Sequence, residues 1–222
     1  MRIVRVVDLS HTISARTQVY PGDPQPKLTI HSTIPKDGFN LLGLEMGSQT
    51  GTHVDAPYHF DDDTERIDEL PLERFIGPGV VVNVTGLNPR TEITWDMISS
   101  DAKGIQPGDV VLIRTGWSEF FGTEAYFDHP YLSADACSQL LKLGVLVFGI
   151  DAINIDETPD EQHPGVGFPC HHLIAKKAGV ISENLCNLEA IDFSNPIISL
   201  LPLKLDAADG APVRAIAFEI RH

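Results

Sequence analysis

The sequence predicts a mixed α/β domain with a sheet-rich core, and three observations predict it. Segments rich in β-branched residues outnumber segments with helical patterning. The two kinds are interspersed along the chain, not gathered into separate blocks. The 18 glycines and 16 prolines are scattered, which fits many short elements joined by turns. The 222 residues are consistent with one domain over residues 1–222, long enough to bury a large core.

The strand candidates, in order, are Ile3–Val7, Lys27–Thr33, Val80–Val84, Val110–Arg114, Leu146–Ile150 and Ala215–Ile220, with Leu42–Met46 a less regular one. Helices are fewer. Ser133 is an N-cap for a stretch to Leu143 with apolar Ala134, Cys137, Leu140 and Leu141, and Gly144 is its stop. Thr94 caps a short helix through Ile98, and a third helix runs from about His171 to Ala178, stopped by Gly179.

Composition excludes several classes. The formal net charge of −15 repels phosphate backbones, so no nucleic-acid partner is expected. No apolar run approaches the roughly 20 residues of a membrane-spanning helix. The opening MRIVRVVDLSHT alternates charge and aliphatics and lacks the apolar stretch of a signal peptide, so a cytoplasmic location is expected. Cys137, Cys170 and Cys186 form no CxxC pair and read as buried free thiols.

The densest chemistry lies between Gln49 and His59, in Gln-Thr-Gly-Thr-His-Val-Asp-Ala-Pro-Tyr-His. His53, Asp55 and His59 fall within seven residues, and imidazole with carboxylate is a usual ligand set for zinc, manganese or iron. Gln49, His53, Asp55 and His59 share one parity, so an extended chain turns them to one side. Full extension would leave Gln49 and His53 about 13 Å apart, beyond the span of metal bonds of about 2 Å. The chain must bend, and Gly51 is the natural place. Pro57 holds Ala56 out of helical geometry, which makes a tight loop with inward side chains.

A second constellation spans His171 to Glu183. Eight helical residues from His171 carry the chain about 12 Å away. Val180 to Glu183, as a strand, returns about 13 Å, which brings His171 and Glu183 to one level. The same geometry admits His172 as the inward residue. The acidic loop from Asp156 to His163 reads as a solvated surface loop, in a position that would also suit a lid.

The segment from Gln49 to His59 resembles the cyclase-family signature H-x-G-T-H-x-D-x-P-x-H, a family that includes bacterial kynurenine formamidases and isatin hydrolases. Asp8-Leu-Ser-His11, Tyr20-Pro-Gly-Asp-Pro24, Ile113-Arg-Thr-Gly116, Gly149-Ile-Asp151 and Gly210-Ala-Pro-Val-Arg-Ala215 are similar to its other hallmarks, so the resemblance covers nearly the whole chain. It implies a layered β/β/α fold and a homo-oligomer, dimer or tetramer. It implies His53 and Asp55 as metal ligands, His171 and Glu183 as a distal ligand pair, and His59 as the catalytic acid–base. The cofactor implied is a divalent metal, zinc or manganese, one or two ions per chain.

Two positions depart from the pattern. Gln49 stands where the family has a histidine ligand, and a glutamine offers only a neutral, harder amide oxygen. Tyr20, a substrate-binding candidate, stands where formamidases of the family usually have Trp. The expected activity is hydrolysis of an amide, formamide or lactam bond in a small substrate by a metal-activated water, with His59 moving the proton. Ester or lactone hydrolysis, a cyclisation, and small-molecule binding without turnover remain open at this point.

Overall fold

A computed structural model describes residues 2–221. In chain order the strands are β1 (Arg2–Asp8), β2 (Lys27–Ser32), β3 (Leu41–Glu45), β4 (His53–Asp55), β5 (Ile76–Asn83), β6 (Glu92–Ile93), β7 (Val110–Arg114), β8 (Tyr131–Leu132), β9 (Val147–Ile150), β10 (Val180–Glu183), β11 (Ile197–Ser199), β12 (Gly210–Pro212) and β13 (Ile216–Arg221). The α-helices are α1 (Ile34–Asp37), α2 (Trp95–Ile98), α3 (Ala134–Lys142) and α4 (Pro169–Ala175).

Nine strands form one mixed sheet in the order β1-β13-β11-β5-β7-β9-β10-β4-β12. Its centre, β5-β7-β9-β10, is parallel, and the strands to either side run antiparallel. A parallel centre is covered on both faces, which explains the unbroken apolar run Val110–Ile113. Val111 and Ile113 pack towards Ile98 of α2, Leu140 of α3 and Ile174 of α4. Val110 and Leu112 face the other way, into a second core shared with Val7, Ile198 and Ala217 of the outer strands. The sheet thus folds over itself on one side and carries helices on the other, which is the β/β/α layering expected.

Local chemistry set most elements. Ser133 caps α3, its hydroxyl accepting from the Ala136 N–H at 3.1 Å, and Gly144 beyond it adopts φ +89°. Thr94 occupies the cap position of α2, although its side chain makes no capping bond. The third helix begins at Pro169 rather than His171 and ends at Ala175 rather than Ala178. Proline is preorganised for the first helical position and loses no hydrogen bond there.

Gly149 of β9 sits against the second core. A methyl group there would stand 2.5 Å from Leu112 Cδ2 and 2.8 Å from Leu185 Cδ1. Gly149→Ala is therefore expected to lower the unfolding free energy by about 1–3 kcal/mol through overpacking. Denaturant midpoints of the two proteins measure this, and equal midpoints would contradict the packing described.

Candidate metal centre

The centre is assembled by sheet register. Alternation places His53 and Asp55 on one face of β4, while Val54 between them is fully buried on the other. The antiparallel pairing of β4 with β10 sets Glu183 directly opposite His53. Gly51, at φ +69°, makes the bend that admits this strand. His171, in the first turn of α4, closes the group from above.

The two carboxylates lie between the two imidazoles. His53 Nε2 is 3.3 Å from Asp55 Oδ1 and 3.8 Å from Glu183 Oε2. His171 Nε2 is 3.6 Å from Asp55 Oδ2 and 3.6 Å from Glu183 Oε1. Donor atoms around a tetrahedral ion with bonds of about 2.1 Å stand about 3.4 Å apart; one donor atom each of His53, Asp55 and Glu183 all lie within 4.8 Å of one another and could hold a cation, while His171 faces the other oxygen of each carboxylate. All four residues are at most 5% exposed. Asp55 Oδ2 is buried without a hydrogen-bond partner, an orphaned acceptor that a cation would satisfy.

Each ring is held by its other nitrogen. His53 Nδ1 donates to the Gly51 carbonyl at 2.8 Å, which Asn184 Nδ2 also reaches at 3.0 Å. His171 Nδ1 donates to Asp156 Oδ2 at 2.7 Å. Both bonds turn Nε2 towards the carboxylates, where loss of its proton would leave the lone pair that a ligating histidine requires. Asp156 also accepts the free N–H groups of Cys170 and His171 at the start of α4. Glu183 Oε1 accepts from the Ile155 N–H at 2.7 Å.

Burial opposes charge on both rings, but the carboxylates outweigh it. Asp55 and Glu183 raise His53 to about 9, and Asp156, Asp55 and Glu183 raise His171 to about 10. Burial and Asp55 push Glu183 up to about 7, while burial of Asp55 is outweighed by His53 and His171, which hold it well below the usual carboxylate range. The sign follows: in the metal-free protein both rings carry protons at pH 7, and a bound cation must expel them. Apparent zinc affinity is expected to rise about tenfold or more per pH unit between 6 and 8, with proton release. Calorimetric titration in buffers of different ionisation enthalpy reads both, and pH-independent affinity would contradict the ligand set.

His59 ends the 3₁₀ turn Pro57–His59 directly after β4, with Nδ1 3.0 Å from Asp209 Oδ2. Burial lowers this half-buried ring, and the Asp209 hydrogen bond with the Asp55 charge more than reverses it. Gln49 donates from Nε2 to Asp209 Oδ2 at 2.8 Å, and its Oε1 is buried and unpartnered. A cavity of about 200 Å³ opens over the group, and Gln49, His53, Asp55, His59, His171 and Glu183 all line it. Tyr20, Phe60, Ile153 and Phe168 form its apolar wall, and burial pushes the Tyr20 phenol up to about 12.

Every site residue anticipated from the sequence thus falls in one cavity. His171 is the inward member of its pair, since His172 is exposed. Trp117 is buried in the helix-side core, its indole donating to the Ala125 carbonyl. The sequence reading missed Asp156 and Asp209. The acidic loop was expected to be solvated, but Asp156 and Thr158 are almost fully buried, and only its later part is exposed. Arg90 pins that loop through Glu157, Asp160 and the Thr158 carbonyl, which argues against free movement of its first half. The Asp209 role had no local signal, because its partners are 150 and 160 residues away in sequence.

Residues 7–157 match the family model described as putative cyclase. A kynurenine formamidase from Geobacillus thermodenitrificans is 31% identical over 211 residues, covering 94% of this chain and 95% of the relative. Isatin hydrolase A from Ralstonia solanacearum superposes with a TM-score of 0.87 at 27% identity, over 97% of this chain and 92% of that one. A potential metal-dependent hydrolase with cyclase activity superposes with a TM-score of 0.73 at 30% identity, over 98% and 99%. The fold is thus shared with an isatin hydrolase and with a potential metal-dependent hydrolase, and the buried group of His53, Asp55 and Glu183 is compatible with a metal site. The chain belongs to the cyclase family.

Proposed function

We propose that this protein hydrolyses a carbon–nitrogen bond, in an amide, formamide or lactam, of a small substrate with an aromatic part. The observation that carries the reading is one cavity with two imidazoles and two carboxylates at its floor, His59 at its side and aromatic rings in its wall. His53, Asp55, His171 and Glu183 would hold a divalent ion, zinc or manganese, one or two per chain. When bound, such an ion supplies Lewis acidity that polarises a carbonyl and lowers the pKa of a water from 15.7 towards about 7. Tyr20, Phe60 and Phe168 enclose the aromatic part and exclude water from the reacting bond. His59, with Nδ1 engaged by Asp209, keeps Nε2 for taking the proton of the attacking water and returning it to the leaving nitrogen.

The test is a substrate series on zinc- and manganese-loaded protein: an N-formylated aryl amine such as N-formylkynurenine, isatin, and an aryl ester of similar size. Turnover of a C–N substrate that stops with chelator and returns with metal supports the proposal. Turnover of the ester alone, or none with metal bound, contradicts it.

All three cysteines are free, which suits a cytoplasmic protein. Among the described residues no helix is long and apolar enough to cross a membrane. The β2–β3 ribbon pairs Leu28 with Leu44 and Ile30 with Leu42, so the four share one face, and Ile30, Leu42 and Leu44 are exposed. An apolar face of this kind fits burial against a second copy in a homodimer or tetramer. Light scattering decides this, and a monomer at micromolar concentration would contradict it.

A further inference from the structure

Asp209 immediately precedes β12, whose Gly210 pairs with Asp55 of β4. That pairing delivers its carboxylate to the rim of the metal centre. The close approach needs glycine at 210. A methyl group there would stand 2.6 Å from the Val54 carbonyl oxygen and 2.7 Å from Gln49 Nε2.

The two carboxylate oxygens divide their work. Oδ1 accepts from Ser48 Oγ at 2.7 Å. Oδ2 accepts from both Gln49 Nε2 at 2.8 Å and His59 Nδ1 at 3.0 Å. The two donors lie 3.4 Å from each other, both aimed at the same oxygen. Charge fixes the sense of each bond. Turning the Gln49 amide over would set Oε1 against an anionic oxygen at the distance of a hydrogen bond with no proton between them. Gln49 Oε1 is consequently the buried, unpartnered atom and the one available to a cation. By the same logic neutral His59 carries its proton on Nδ1 and its lone pair on Nε2. His53 and His171 are likewise held through Nδ1, by the Gly51 carbonyl and by Asp156.

We propose that Asp209 is the positioning residue of the site: one carboxylate oxygen fixes both the amide face of Gln49 and the tautomer of His59. Asp209 thereby couples the ligand position where glutamine replaces histidine to the proton-transfer group. The rate part of this inference rests on the hydrolase reading, and the tautomer part does not.

The test is Asp209→Asn in the zinc-loaded full chain. The substitution preserves size but removes the charge that fixes the sense of both bonds, because an amide at 209 can turn its NH2 as well as its carbonyl towards His59 and Gln49. The expected result is a kcat lower by about 10–100-fold, with KM changed by less than about twofold. Nitrogen-15 NMR, with the His59 signal assigned by its loss in His59→Gln, reads the tautomer directly. In the wild type the neutral ring should carry its proton on Nδ1, and in the variant the proton should shift towards Nε2. A wild-type ring protonated on Nε2 would overturn the proposal even if the variant failed to fold. So would a variant with unchanged kcat and an unchanged His59 tautomer. A wild type that hydrolyses nothing would defeat the hydrolase reading alone, because the NMR result still decides the role of Asp209.

Discussion

Asp55→Ala should purify folded but without its ion, and should lose hydrolysis by about 10³-fold or more. Asp55 is the residue whose two oxygens face the two imidazoles from the same strand, Oδ1 towards His53 and Oδ2 towards His171. Removing it takes away one of the two buried carboxylates, Asp55 and Glu183, that would offset a divalent charge. Lewis-acid stabilisation of several kcal/mol would go with the ion, and each 1.36 kcal/mol is a decade of rate. Asp55→Asn, which keeps the shape and removes the charge, separates this loss from a packing defect. Elemental analysis and kcat/KM on both variants make the check. An Asp55→Ala protein that retains stoichiometric metal would show the ion to be held elsewhere.

His59→Ala should behave differently: the ion stays, and kcat falls by about 10²–10⁴-fold. The ring sits beside the ligand group, not within it, tied to Asp209 through Nδ1. A positioned acid–base group contributes in that range, so losing it should slow proton transfer without disturbing His53, Asp55, His171 and Glu183. The pair of variants is informative together. Metal and activity are lost jointly at Asp55, and activity alone is lost at His59. Full activity in His59→Ala would mean that another group moves the proton.

The sequence was most legible where one local rule decided the outcome. Val110–Arg114 has the bounds expected from its β-branched run, and Ser133 and Gly144 bracket α3 as cap and stop. The site was legible for the same reason. The bend at Gly51, the two-residue spacing of His53 and Asp55, and the helix–strand return from His171 to Glu183 are all short-range geometry. What stayed hidden depends on long-range pairing. Strands β4, β11 and β12 have three residues each, too short for a periodic signal, and form because neighbouring strands supply their hydrogen bonds. Asp209 became part of the site only through the β4–β12 pairing, and Asp156 only because α4 begins above it. An acidic loop read from composition gave no hint that its first residue would be buried against a histidine.

The central claim is that the four-residue group holds a catalytic cation. Its most direct test is metal content per chain, by elemental analysis on protein purified without a histidine tag, together with hydrolysis before and after chelation. One or two ions per chain, activity lost on chelation and restored by zinc or manganese, is the predicted result. A folded protein that takes up no ion from either metal would contradict the hydrolase account and leave small-molecule binding as the function of the cavity.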